Sequence, residues 1–120
     1  MTPQEMLDIT KKHQINRIID KTEALIVEKG FIYDGTTFDL DAASQTKWLT
    51  LKILQGTISF PVDISPRSGV YTLTEANLDA FLAAGLAVVQ GYKDSGRLLR
   101  LQVEAAPNID DLIVIVDNRT

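Results

Sequence analysis

The residues best suited to chemistry are few. His13 is the only histidine among 120 residues, and there is no cysteine. A histidine-activated nucleophile, a thiolate or a multi-histidine metal site therefore cannot be assembled within one copy of the chain. Two acidic pairs remain. Asp39-x-Asp41 and Asp110-Asp111 carry carboxylates that suit hard cations, but such ions take six or more oxygen ligands at loop spacing, and neither pair is followed by them. Strand-end and helix-cap duties account for Asp39 and Asp41. The first turn of a helix, where the dipole favours negative charge, accounts for Asp110 and Asp111. His13 reads as a solvent-facing helix residue.

Two further stretches resemble anion sites only superficially. Lys93-Asp94-Ser95-Gly96-Arg97 reads as a polar break of balanced charge, and Gly91 and Gly96 do not form a phosphate-cradling loop with its Lys-Ser/Thr ending. Pro66-Arg67-Ser68-Gly69 reads as a hairpin tip. Trp48 and Tyr33 suit interface anchoring, since aromatic residues concentrate binding energy when buried at a contact; core packing suits Trp48 as well. The expectation is a protein without catalytic, metal-binding or cofactor-binding residues, hence not an enzyme.

The elements that hold these residues follow from local signals. Thr2, Pro3 and Glu5 form an N-cap, a first-turn proline and a capping-box acid. The helix they open, about 3–29, carries Ile15, Ile18, Ile19, Thr22, Leu25 and Ile26 on one stripe and stops at Gly30. Asp34-Gly35 between Phe31-Ile32-Tyr33 and Thr36-Thr37-Phe38 predicts a hairpin over 31–40 with a type I′ turn. That turn pairs Phe31 with Phe38 and Tyr33 with Thr36, on a face suited to packing against a helix.

Asp41 caps a second helix over 42–55, ended at Gly56. The crowd of Trp48, Leu49, Leu51, Ile53 and Leu54 suggests burial on more than one side. A looser hairpin spans 57–73, with Pro61 marking an edge. Thr74 caps a long helix over about 75–105, with a kink or break expected between Gly91 and Gly96. Pro107 closes it, and Asn108 caps a short helix over 108–116. The β-branched run Leu112-Ile113-Val114-Ile115-Val116 suits a strand as well, and the caps favour the helix.

Length and composition set this in context. At 120 residues with 45% hydrophobic and 23% charged, the chain fits one α+β domain, 1–120, mostly helical, with long helices packed on two short β-hairpins. Twelve basic residues against 16 acidic give a net charge of −4. The basic residues are scattered, which disfavours nucleic acid. The longest apolar run, 80–89, is about half a membrane span, and the N-terminus lacks the pattern of a signal peptide. A soluble protein made in the cytoplasm, without membrane insertion, is expected.

The order of segments resembles a domain family of tailed-bacteriophage tail and tail-fibre proteins, from about Arg17 to 117. The matching features are a first helix ending at Lys29-Gly30, Tyr33-Asp34-Gly35-Thr36-Thr37-Phe38 followed by Asp39 and Asp41, then Tyr71-Thr72-Leu73-Thr74-Glu75-Ala76-Asn77-Leu78. An alanine-rich long helix and Val103-Glu104-Ala105-Ala106-Pro107-Asn108-Ile109-Asp110-Asp111-Leu112 complete them. The family's tryptophan in the second β segment is replaced here by Phe60-Pro61-Val62, with the chain's only tryptophan at Trp48. The resemblance implies a virion structural protein of the tail, baseplate or fibre attachment. It would act by protein–protein contact with other tail or fibre proteins, as a homo-oligomer in a symmetric assembly. A tail-fibre assembly chaperone and a bacterial adaptor unrelated to phage are the alternatives. The long helix and the two hairpin tips are the expected contact surfaces.

Overall fold

The computed structural model describes residues 1–120. Its elements are α1 (Pro3–Lys29), β1 (Phe31–Tyr33), β2 (Thr36–Phe38), α2 (Ala42–Ile53), β3 (Val62–Ile64), β4 (Tyr71–Leu73), α3 (Leu78–Ala105) and α4 (Ile109–Ile113). A single 3-10 turn, Glu75–Asn77, leads into α3. The protein is thus α+β and mostly helical, with two antiparallel hairpins, β1-β2 and β3-β4. The chain divides into two compact units, Met1–Leu25 with Gly91–Thr120, and Ile26–Gln90.

In the first unit, α1 opens as its sequence dictates. The Glu5 N–H donates to the Thr2 hydroxyl at 3.1 Å, and that hydroxyl donates to the Glu5 carboxylate at 3.2 Å. The core gathers Leu7 and Ile18 of α1, Val103 of α3, Ala106 and Leu112, with Ile15, Leu99, Ile109 and Ile115 packed against it. Ile19, expected on the buried stripe, is instead exposed, because it stands one residue past Ile18 and so about 100° around the helix.

The expected break between Gly91 and Gly96 does not occur, and α3 runs unbroken to Ala105. The stretch from Lys93 to Arg97 is accordingly helical rather than a polar break, with Arg97 and Asp94 paired at 3.4 Å. A glycine costs a helix interior about 1 kcal/mol, less than the burial of one large aliphatic residue returns. At Gly96 the missing side chain also serves close packing: a Cβ there would lie 2.6 Å from Thr22 Oγ1.

Asn108 caps α4 as expected, its side chain accepting from the Asp111 N–H at 2.8 Å. The helix nevertheless ends at Ile113 rather than 116, and residues 115–120 belong to no helix or strand. The β-branched run disfavours continuing the helix, and both strand pairs of the protein lie in the other unit, so no sheet edge in this one takes the run up.

In the second unit, α1 ends at Gly30, whose φ of 58° is the left-handed C-cap conformation. Its N–H donates to the Ile26 carbonyl at 3.0 Å. Any side chain at position 30 would also collide with the Phe38 carbonyl oxygen. Asp34 and Gly35 take φ of 51° and 70°, the two positive values of a type I′ turn. The register pairs Phe31 with Phe38 and Tyr33 with Thr36. The hairpin face so formed packs on α3: the Phe81 ring lies 5.1 Å from Phe31, 4.9 Å from Phe38 and 5.6 Å from Tyr33, centroid to centroid. Trp48 of α2 closes the cluster at 5.2 Å from Phe81.

α2 departs from its reading in two ways. It stops at Ile53 rather than 55, passing into turns in which the Thr57 N–H donates to the Leu54 carbonyl at 2.8 Å. It also buries only one side, through Ser44 and Trp48, while Leu49 is 63% and Ile53 78% exposed. A crowd of apolar residues at successive positions covers all sides of a helix, and this unit supplies a packing partner on one of them. The second hairpin is shorter than the expected 57–73: residues 57–61 belong to the turns and bends after α2, and the ladder begins only after Pro61, pairing Val62 with Leu73 and Ile64 with Tyr71. Thr74 stands at the N-cap position before the 3-10 turn, yet its side chain makes no cap hydrogen bond.

Candidate functional site

The structure separates the sequence candidates and gives each a local task. His13 is exposed on α1. Asp41 caps α2, accepting from the Ser44 N–H at 3.2 Å, and hydrogen bonding with Ser44 holds its carboxyl below the usual carboxylate range. Asp39 lies two residues away but turns to Arg67, whose Nε donates to its carboxylate at 2.7 Å. The Asp39 carbonyl accepts from Trp48 Nε1 at 3.0 Å. Asp110 and Asp111 sit in the first turn of α4. No three acidic or histidine side chains converge as a metal site would require.

Both hairpin tips are engaged. Tyr71 donates its hydroxyl to Asp34 at 2.9 Å, and burial with the adjacent Asp34 carboxylate pushes that phenol above its ordinary value. Arg67 is the residue that sequence reasoning undervalued. Beyond Asp39 it donates to the Glu28 and Val27 carbonyls at 2.9 and 3.2 Å, satisfying the otherwise open C-terminal end of α1. A hairpin-tip arginine carries no sequence signal for helix carbonyls 39 and 40 residues earlier in the chain, and only the fold brings them together.

Several large apolar side chains are exposed, among them Leu49, Ile53 and Leu86. Within the second unit, α2 and α3 flank an open groove of about 270 Å³, floored by Phe31, Leu40 and Trp48. α2 contributes Leu49 and Lys52, and α3 contributes Leu82, Gly85, Leu86 and Val89 at the spacing of one helical face. Gly85 sets the depth, because a Cβ there would meet the Phe31 ring at 3.2 Å. Leu49 and Leu86 stand 63% and 65% exposed along its walls. At one rim Lys52 pairs with Asp79 at 2.8 Å, and elsewhere Gln45 donates to the Leu40 carbonyl at 2.7 Å.

No buried side-chain polar atom lacks a partner. The groove thus presents apolar walls whose few polar neighbours are already satisfied, and nothing is aimed inward to orient a polar small molecule, as ligand pockets require. No helix of the chain is long and apolar enough to cross a membrane.

Comparison with protein-family models, with curated proteins and with solved structures finds no match for the chain.

Proposed function

We propose that this chain is a structural protein of a bacteriophage particle, a tail, baseplate or fibre-attachment component that works through protein–protein contacts. The observation that carries the reading is the groove between α2 and α3, where Leu49 and Leu86 remain more than half exposed beside a buried aromatic floor. Large apolar side chains grouped around one concavity are what a protein interface uses as anchors, and a monomer has little reason to keep them together in water. The segment-by-segment resemblance of residues 17–117 to phage tail and fibre domains supplies the biological setting, and contact with other tail or fibre proteins and homo-oligomerisation in a symmetric assembly follow from it.

The test has two parts. Light scattering on the purified chain, with pull-down against the tail and fibre proteins of its phage, should detect oligomers or specific complexes. Mass spectrometry of purified virions should find the chain as a stoichiometric component. A strict monomer with no affinity for any tail or fibre protein would refute the proposal. Binding to fibre combined with absence from mature particles would reassign it as a fibre-assembly chaperone.

A further inference from the structure

From Ala80 to Gln90, where α3 borders the groove, the helix has neither an acidic nor a basic residue. Phe81 and Gly85 are buried on its inner side, while Ala83, Leu86 and Ala87, at the spacing of one face, are exposed on its outer side. A helix stretch that is apolar all round is one that is covered all round. Across the groove α2 presents Leu49 and, one turn on, Ile53, both more than half exposed. The two walls differ in height: α2 offers large side chains, and α3 beyond Leu86 offers alanines.

Charge and area both bear on what covers this patch. Lys52 is the one charged residue that lines the groove, and it is paired with Asp79 at 2.8 Å. The patch is therefore neutral on a chain whose net charge is −4. Two copies of an acidic chain meet without setting like charges against each other only through such a patch, whereas a partner recognised by its charge needs a charged rim. Leu49, Ile53 and Leu86 each expose about 100 Å², so with the two alanines the patch offers roughly 400 Å² of apolar surface. One side of a standard interface covers about 800 Å², about two-thirds of it apolar in homodimers. The patch supplies most of that apolar share.

We propose that a second copy of the chain covers this patch, about a two-fold axis running along the groove. That axis sets α2 of each copy over α3 of the other. Leu49 and Ile53 then stand over Ala83 and Ala87 and fill the space the alanines leave, as ridges fill grooves between packed helices. An axis across the groove would set tall wall on tall and low on low, leaving a gap between the alanines that forfeits contact. The inference rests on the homo-oligomeric reading above and names its surface.

The chain has no cysteine, so introduced thiols report the contact without interference. Full-length Ile53→Cys and Ala87→Cys chains, prepared separately, are mixed and oxidised. The mixture is expected to yield a disulfide between the two variants, identified by mass, and either variant alone to link far less. Sedimentation equilibrium of the unaltered chain is expected to show a dimer. Ala87→Glu, which sets a charge without a partner against Leu49 and Ile53, should weaken it about a hundredfold or more, and Ile53→Lys on the other wall should do the same. Both positions are exposed and both new residues are good helix formers, so the fold is retained, which circular dichroism checks.

A dimer that both charged variants leave intact, with no mixed disulfide, overturns this contact and leaves assembly through another face in place. Single variants that link to themselves in place of the mixed disulfide overturn the axis. A monomer that binds tail or fibre proteins overturns the second copy as occupant while the structural reading stands. A dimer dissociated by both variants, in a chain absent from virions and without affinity for tail or fibre proteins, upholds the contact and removes the reading beneath it.

Discussion

Arg67 and Asp39 meet at 2.7 Å across two hairpins, and the pair holds the guanidinium where its other nitrogens reach the last carbonyls of α1. The Arg67 backbone N–H adds a bond to the Thr37 carbonyl at 2.9 Å. One residue thus ties a helix end to both hairpins of the second unit. Because both partners are about two-fifths exposed, the ion pair itself is weak, and the helix-end hydrogen bonds carry most of the effect. Arg67→Ala should lower stability by about 1 kcal/mol, a melting shift of roughly 4 °C, and Arg67→Lys should recover only part of it. Thermal unfolding followed by circular dichroism checks this, and equal stability of all three chains would exclude the capping role.

The glycines of α3 should respond to alanine in opposite directions. Gly91 has nothing within 4 Å of a built Cβ, so Gly91→Ala should stabilise by about 0.5–1 kcal/mol through helix propensity alone. At Gly96 the same methyl would meet Thr22 Oγ1 at 2.6 Å and crowd Arg119, so Gly96→Ala should destabilise despite its better propensity. Denaturant midpoints of the two variants give the comparison, and a stabilised Gly96→Ala would contradict the close approach of α1 to α3 at that point.

Groove and core residues should separate cleanly. Leu49→Lys and Leu86→Glu alter side chains more than half exposed and should change stability by no more than about 0.5 kcal/mol while abolishing self-association or partner binding. Phe81, fully buried against four other rings, should cost about 3–5 kcal/mol on truncation to alanine. Unchanged assembly in both groove variants would move the contact surface elsewhere.

Acid should loosen the Arg119 side chain, which donates to the Ile18 and Tyr92 carbonyls and the Ser95 hydroxyl. Hydrogen bonding from the Arg119 guanidinium holds the Asp117 carboxyl below the usual carboxylate range, aided by Lys21, and outweighs the burial that pushes it up. A carboxyl depressed in the folded state contributes stability that is fully present above its unfolded value, about 3.9, and is lost as pH falls through the lower folded value. Arg119 stays charged throughout, its own value being raised by Asp117. Side-chain NMR of Arg119 should report a fixed environment at neutral pH and release in acid below about pH 4. Asp117→Asn should remove that acid dependence.

Much of the local architecture was legible residue by residue. Asp34-Gly35 specified a type I′ turn and with it the pairing of Phe31 and Phe38, because only two consecutive positive φ values match the twist of a two-residue hairpin. Thr2, Asp41 and Asn108 marked helix starts through side chains that satisfy open N–H groups a few residues on. The same reasoning overreached where competition is not local. It broke α3 at its glycines, extended α4 through a β-branched run, and surrounded α2 with partners that the fold supplies on one side only.

The amino-acid order was sufficient for the element types, the turn at Asp34-Gly35, the helix caps and the mostly helical α+β class, since each depends on groups within a few residues of one another. The tertiary structure alone decided that Leu49 and Leu86 face water across one groove, that Gly96 admits Thr22, that Arg67 closes the end of α1, and that Arg119 reaches the Ile18 carbonyl. The reason is physical. A hydrophobic side chain or a guanidinium has strong demands but no preferred address, and whether an apolar face is buried or a charge finds its acceptors depends on which distant segments the fold places beside it.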